Sequence, residues 1–220
     1  MRLFDRLRDA CRDDWQAYID HPFVAGMADG SLPEAAFRHY LVQDYLFLIH
    51  FARAWALAVY KADNLADMRA ASEVVHGILD VEMKLHVDYC AGFGISPAEM
   101  EAAPEADETM AYTRYVLEAG LAGDVLDLHV ALAPCVIGYG EIGARLAADP
   151  ATKREGNPYL SWIEMYAGDE YREVMDGALA HLDVLAESRL TEARFERLSR
   201  TFGQATRLEA AFWQMGLDRA

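Results

Sequence analysis

The residue best suited to covalent chemistry is Cys135, which lies within an apolar run at residues 132–141. Pro134 precedes it and Tyr139 follows four residues later, so in a helix the thiol and the phenol share a face. A cysteine needs an acid or base partner to act as a catalytic nucleophile. An unreactive free cysteine is usually buried and behaves as a small hydrophobe. This segment alone leaves both interpretations open.

Two carboxylates stand beside aromatic side chains at helical spacing. Phe47 follows Asp44 by three residues, and Phe212 and Trp213 follow Glu209 by three and four. With the cysteine and its tyrosine, three separate helices each offer one reactive side chain beside an aromatic ring. This pattern fits a small planar ring held between aromatic faces, with carboxylates at its edge. The alternative is that the aromatic rings are core and that each acid pairs with a neighbour.

A metal site is a rival interpretation for helices that carry acids and histidines. A carboxylate-bridged di-iron bundle needs two Glu-x-x-His pairs and two further glutamates. The chain has one such pair, Glu73 with His76, and a second acid and histidine at i, i+4, Glu82 with His86. The ligand set is therefore incomplete, and we expect no metal.

The sequence predicts that all the elements carrying these residues are helices. We expect helices at Leu3–Ile19, from a Ser31/Glu34 capping box to about Lys61, and over about 65–93, 107–119, 125–148, 159–166, 170–187 and 191–215, with a short helix capped by Ser96 and Glu99. Residues 149–158 predict a surface loop. Gly138 and Gly140 leave space for a ligand or a neighbouring helix. No strand pattern and no Gly-rich phosphate loop is found, so the sequence predicts an all-α fold with a single domain spanning 1–220.

Composition limits the partners of the protein. Asp and Glu total 36 against 20 Lys and Arg, giving a net charge of −16. Binding to nucleic acid or to an anionic membrane needs a basic face, so we expect neither. No stretch of about 18 uninterrupted apolar residues is found, which argues against a transmembrane span. The three cysteines match no disulfide framework or zinc pattern, and no signal peptide is recognisable. We therefore expect a cytoplasmic protein that acts on a small neutral or cationic molecule.

The order of motifs along nearly the whole chain resembles the thiaminase II (TenA) family, whose members share the haem-oxygenase-like all-α fold. The motifs are His21-Pro22-Phe23-Val24, Asp29-Gly30-Ser31-Leu32-Pro33, Phe37-x-x-Tyr40-x-x-Gln43-Asp44, Glu82-Met83-x-Leu85-His86, Ala111-Tyr112-Thr113, Leu132-x-Pro134-Cys135-x-x-x-Tyr139-x-Glu141-x-Gly143, Asn157-Pro158, Trp162-Ile163-x-x-Tyr166 and Glu209-x-x-Phe212-Trp213.

The resemblance implies an aminopyrimidine aminohydrolase of thiamin salvage. Its substrate would be 4-amino-5-aminomethyl-2-methylpyrimidine, hydrolysed to the hydroxymethyl pyrimidine and ammonia, with thiamin as a further substrate. Cys135 places the chain in the cysteine-bearing branch and would be the nucleophile that adds to the ring. Glu209 would act as general acid and base, and Asp44 would hold the ring's amino group. The resemblance also implies a homotetramer that needs no cofactor.

The same resemblance assigns the remaining binding residues. Tyr112 and Tyr166 would supply hydrogen bonds, and Phe47 and Tyr139 would sandwich the ring. Phe47 stands where many relatives have tyrosine, so the preference between thiamin and its degradation products stays open. Two alternatives also stay open: a non-catalytic pyrimidine-binding or regulatory protein, and a metal-dependent oxidase of the same fold.

Overall fold

Helices form every regular element in the computed structural model, which describes residues 1–219. They are α1 (Leu3–Ala10), α2 (Arg12–Ile19), α3 (Pro22–Asp29), α4 (Glu34–Lys61), α5 (Leu65–His76), α6 (Met83–Gly92), α7 (Pro97–Ala102), α8 (Asp107–Ala122), α9 (Val125–Ala148), α10 (Leu160–Ala167), α11 (Asp169–Arg189) and α12 (Glu192–Leu217), with a π-helical turn at Gly77–Glu82 between α5 and α6. The predicted all-α fold class is confirmed.

The centre of the fold is α9, which packs against α2, α4, α8, α10, α11 and α12. Its first turn is fixed by Asp124, whose carboxylate accepts from the N–H of Leu126 at 2.9 Å and of Asp127 at 3.2 Å. By length and composition this helix is apolar enough to cross a membrane. However, 89% of its most apolar stretch is buried inside the protein, as in the core helix of a folded domain.

The glycines of α9 receive side chains and backbone from neighbouring helices. A Cβ added at Gly138 would lie 2.3 Å from Cε1 of Tyr18 on α2. At Gly143 it would lie 2.6 Å from Cβ of Tyr166 on α10, and at Gly140 it would press on side chains of α11. Of the two uses left open for Gly138 and Gly140, the neighbouring helix is the one observed.

The prediction of a single helix at Leu3–Ile19 is wrong. The chain bends at Cys11, where φ is −122°, and α1 and α2 are separate helices. The bend lets α1 pack against α11 and α12 while α2 packs against α12 and α9. The Cys11 thiol donates to the carbonyl of Ser199 at 3.2 Å, which ties the bend to α12.

The segment before α4 also differs from prediction. Residues 22–29 form α3, which was not predicted, and the ring of His21 accepts from the N–H of Phe23 at 3.3 Å as its cap. The Ser31/Glu34 capping box is wrong, because the N-cap of α4 is Pro33 and has no side-chain hydrogen bond. The end of α4 at Lys61 is confirmed.

The long helix predicted over 65–93 exists as α5, the π turn and α6 in continuous succession. One extra residue per turn in the π segment rotates the face of α6 relative to that of α5. The remaining helices begin and end within about three residues of their predicted limits, and Ser96 and Glu99 form the predicted capping box.

Candidate active site

The proposed nucleophile, Cys135, lies at the middle of α9. Its neighbours over residues 131–140 are all buried, whereas Cys135 keeps some exposed surface. Two tyrosine hydroxyls hold the backbone on either side of it: Tyr18 donates to the carbonyl of Pro134 at 3.4 Å, and Tyr171 to that of Val136 at 3.1 Å. Burial raises the pKa of the thiol well above its usual range, and the nearby carboxyls, Glu209 first, raise it further. The free protein therefore holds Cys135 as a thiol.

Glu209 comes to this thiol from α12 and is 1% exposed. Burial raises its pKa from 4.5 to about 8; the hydrogen bond from Tyr112 and the contact with Cys135 oppose that rise. The Tyr112 hydroxyl donates to Oε1 of Glu209 at 2.7 Å. A carboxyl with a pKa near neutrality beside a thiol can accept the thiol proton and later return it.

Asp44 enters the site from α4 and is 9% exposed. Burial raises its pKa to about 7. Its nearest polar partner is His86 on α6, with Nδ1 at 3.5 Å from Oδ2. The other ring nitrogen of His86 lies 2.9 Å from the carbonyl of Leu41, which fixes it as the donor, so in neutral His86 Nδ1 is the acceptor that faces Asp44. Asp44 thus keeps free hydrogen-bonding capacity for a ligand.

Aromatic rings pack around these polar side chains. Phe47 is stacked on Tyr112, with centroids 5.3 Å apart at 25°, and touches Phe212 at 5.9 Å. Tyr139 packs against Tyr166 at 5.0 Å and against Trp213 at 5.2 Å. These contacts include residues that sequence analysis assigned to ring binding.

All seven residues predicted for the site therefore lie in one cluster, supplied by α4, α8, α9, α10 and α12. Direct contacts join Glu209 to Tyr112 and Tyr112 to Phe47, and the Glu209 carboxyl is near enough to raise the pKa of the Cys135 thiol. A separate contact joins Tyr139 to Tyr166. The chemical role of each residue stays a prediction.

Two of the four residues considered as metal ligands do not lie at the site. Glu73 and His76 on α5 are exposed, and His76 Nδ1 pairs with Asp80 at 2.5 Å instead. The π turn directs Glu82 and His86 inward, away from that pair. Across residues 1–219 no three His, Cys, Asp or Glu side chains are arranged to hold a metal ion.

Sequence reasoning missed four side chains of the site. Glu82 and His86 belong to a quoted motif but were considered only as metal ligands. Tyr18 and Tyr171, which hold the backbone around Cys135, had no usable signal in the sequence because their partners are 116 and 35 residues away. The i, i+4 spacing of Glu82 and His86 placed them on one helical face but not facing Asp44.

The site carries three acidic side chains that are not paired with a basic residue. Burial raises the pKa values of Asp44 and Glu82 to about 7 and that of Glu209 to about 8, and repulsion from Asp44 adds to the rise for both glutamates. Within residues 1–219, no Lys or Arg forms an ion pair with any of the three. Such a group of carboxyls favours a ligand that brings positive charge or hydrogen-bond donors.

Comparison with known proteins gives a match to the TENA/THI-4/PQQC family over residues 8–219. The aminopyrimidine aminohydrolase of Halalkalibacterium halodurans is 41% identical over 205 residues, covering 93% of this chain and 90% of the relative.

Two solved structures have a similar fold. A protein of Silicibacter sp. TM1040, described as a TenA family transcription regulator, superposes with a TM-score of 0.93 at 47% identity, over 98% of this chain and 96% of its own. A domain of unknown function from Shewanella denitrificans, described as having a heme oxygenase-like fold, gives a TM-score of 0.72 at 13% identity over 98% of this chain and 92% of its own. The predicted haem-oxygenase-like fold is confirmed.

Proposed function

Because the chain belongs to the TENA/THI-4/PQQC family, we propose that it is an aminopyrimidine aminohydrolase of thiamin salvage that uses Cys135 as its nucleophile. The observation that carries this proposal is the meeting of Cys135, Glu209 and Asp44, from three different helices, in one largely buried acidic site. The reaction class, that of a hydrolase, is supported by the Halalkalibacterium relative, which is named an aminopyrimidine aminohydrolase.

The proposed substrate is 4-amino-5-aminomethyl-2-methylpyrimidine. The Cys135 sulfur forms a bond to a ring carbon, and its proton passes to the Glu209 carboxylate. The electron pair displaced from the ring then expels the ammonium group of the substrate as neutral ammonia. Once this carbon–nitrogen bond has broken, the ammonia takes the proton from Glu209. Covalent addition is useful because it ends the aromaticity of the ring and creates an intermediate from which the amine can leave.

Hydrolysis of the intermediate completes the cycle. Water adds at the exocyclic carbon that lost the amine and gives one proton to Glu209. The carbon–sulfur bond breaks, the ring regains its aromaticity, and the thiolate takes up the proton. The products are the hydroxymethyl pyrimidine and ammonia, and the protein ends as it began.

The remaining site residues fit the binding of such a ring. Asp44 has free acceptor capacity for the ring's amino group, and its pKa of about 7 lets it share a proton with the adjacent ring nitrogen. Phe47 and Tyr139 supply aromatic faces on which a planar ring can stack. Tyr112 supports the reaction by orienting Glu209.

The decisive experiment measures ammonia release from the aminomethyl pyrimidine and thiazole release from thiamin. We expect C135A to reduce both rates to the uncatalysed level while its circular dichroism spectrum is unchanged. C11A removes a thiol at the α1–α2 bend, outside the site, and should keep the wild-type rate. A C135A protein as fast as wild type would refute the nucleophile assignment.

A second candidate is a regulatory protein that binds pyrimidines without turnover. The description of the Silicibacter relative as a transcription regulator favours it. The net charge of −16 opposes direct DNA binding, because a basic surface is needed for phosphate contacts. This candidate requires saturable pyrimidine binding and no ammonia from any aminopyrimidine, so measurable turnover by the wild type would eliminate it.

A further inference from the structure

Glu82 is the acid of the site to which the proposed reaction gives no task. It is the last residue of the π turn and lies one helical turn before His86, on the same face. The imidazole of His86 reaches Asp44 at 3.5 Å, so this face of α6 points into the site. π-Helical turns are frequent at functional sites because the extra residue redirects side chains.

Glu82 and Glu209 belong to different elements, the π turn and α12. The helix that follows the π turn contacts α10 through the hydroxyls of Ser161 and Tyr89, which are 3.3 Å apart. Burial is the first cause that raises the pKa values of Tyr166 and Tyr171, and the charge of Glu82 adds to both. Burial and then the carboxyls of Glu209, Asp44 and Glu82 raise the pKa of the Cys135 thiol, so Glu82 lies close enough to act on the thiol.

The Glu82 carboxyl has no protein partner that explains its burial. Among the described residues no hydrogen bond or ion pair to this side chain is found, although it is half-buried. Its pKa is raised to about 7 by burial and by the charge of Asp44. The ionised form of a half-buried carboxyl beside a second acid is destabilised, and a ligand that supplies positive charge relieves that cost.

We propose that Glu82 is a specificity-determining residue that binds the positively charged group attached to the methylene of the pyrimidine. This inference rests on the proposed function. In the aminomethyl pyrimidine that group is an ammonium, and in thiamin it is a thiazolium. The hydroxymethyl product is neutral at the same position, so the carboxylate attracts the substrate and does not retain the product.

The test compares a cationic ligand with its neutral counterpart. C135S, which blocks turnover, serves as the background, and calorimetry measures the Kd of the aminomethyl and of the hydroxymethyl pyrimidine at pH 7.5. We expect E82Q to weaken binding of the cation at least about tenfold, as expected for loss of a charge-assisted contact, and to change binding of the neutral compound less than twofold. D88N, which removes an exposed acid from the same helix, is the matched control and should change neither.

Equal weakening of both ligands would mean that Glu82 only supports the fold of the site, and no change in either would mean that it does not face the ligand. Both results overturn the inference. Kinetics with Cys135 intact give a second readout: E82Q should raise KM for the aminomethyl compound about tenfold and change kcat less than threefold. If wild type neither binds nor hydrolyses the cation, the proposed function itself fails. If wild type is active and E82Q matches it, only the role of Glu82 fails.

Discussion

At the scale of single residues, the site is defined by carboxyl groups whose pKa values are raised by burial. Asp44, Glu82 and Glu209 have pKa values of about 7, 7 and 8, so each changes charge near neutral pH. A general base works best when its pKa lies near the working pH. A cationic substrate would favour the ionised carboxylates and so prepare Glu209 to accept the thiol proton.

Removal of the Tyr112 hydroxyl should displace the pH dependence of the reaction. The hydrogen bond at 2.7 Å lowers the pKa of Glu209, so its loss in Y112F raises that pKa above about 8. Because Glu209 must be ionised to accept the thiol proton, the rising limb of kcat/KM should move to higher pH by about one pH unit. A pH–rate profile measures this. Y115F, on the same helix and outside the site, should leave the profile in place; an unshifted Y112F profile would contradict the role of Tyr112.

Replacement of Glu209 should also change how stability depends on pH. The pKa of this carboxyl is higher in the folded state, about 8, than its ordinary 4.5, so the folded state binds more protons between those values. The part of the folding free energy that depends on protonation of Glu209 is therefore fully present below pH 4.5. It is lost as the pH rises towards 8. Wild-type Tm should fall between pH 5 and 9, and E209Q should show a shallower fall in thermal melts. E187Q, at an exposed position of α11, should keep the wild-type slope; parallel slopes for E209Q and wild type would refute the assignment.

At the scale of elements, α9 positions the nucleophile because neighbouring helices pack closely against its glycines. Tyr18 occupies the space beside Gly138, and its hydroxyl meets the carbonyl of Pro134 at 3.4 Å. The hydroxyl of Tyr171 donates to the carbonyl of Val136, and Tyr166 lies against Gly143. Helices α2, α10 and α11 are thereby brought close enough to α9 to fix the backbone around Cys135.

A methyl group at Gly138 should therefore disturb both stability and activity. In G138A the added Cβ would meet the Tyr18 ring at 2.3 Å, so the ring or the helix must shift. We expect a loss of about 1–3 kcal/mol in the free energy of unfolding, as for other overpacked cores, and a lower kcat. G177A is the matched control, since this exposed helical glycine has nothing within 4 Å of an added Cβ and should gain up to about 1 kcal/mol. Denaturant melts compare them, and a G138A protein as stable as wild type would contradict the packing described.

At the scale of the whole molecule, the acidic balance and the acidic site point to the same class of ligand. A net charge of −16 raises the local concentration of cations and repels polyanions. The long helix made of α5, the π turn and α6 carries exposed apolar side chains, including Leu65, Leu79, Val81 and Leu85, each more than half exposed. Exposed leucine and valine side chains of this kind are candidates for burial between subunits.

The homotetramer implied by the family resemblance stays a prediction that light scattering can test. Size-exclusion chromatography with multi-angle scattering should give about four times the chain mass of 24.6 kDa. L85D, which places a charge at a position 58% exposed, should lower that mass if this surface is buried between subunits. A wild-type mass equal to one chain would refute the tetramer. The predicted cytoplasmic location is likewise open to cell fractionation.

The sequence by itself determined the helical class, most helix limits and the chemical types present at the site. Helical periodicity, caps and breaker residues are local, so α4, α9 and the Ser96 cap were predictable from neighbours in the chain. Motif order identified Cys135, Glu209 and Asp44 before any contact was known. Only the tertiary structure decided which distant residues meet: the bend at Cys11, the π turn that directs Glu82 inward, and the tyrosines around Cys135. Those features depend on packing between helices far apart in sequence, where spacing along one helix carries no information.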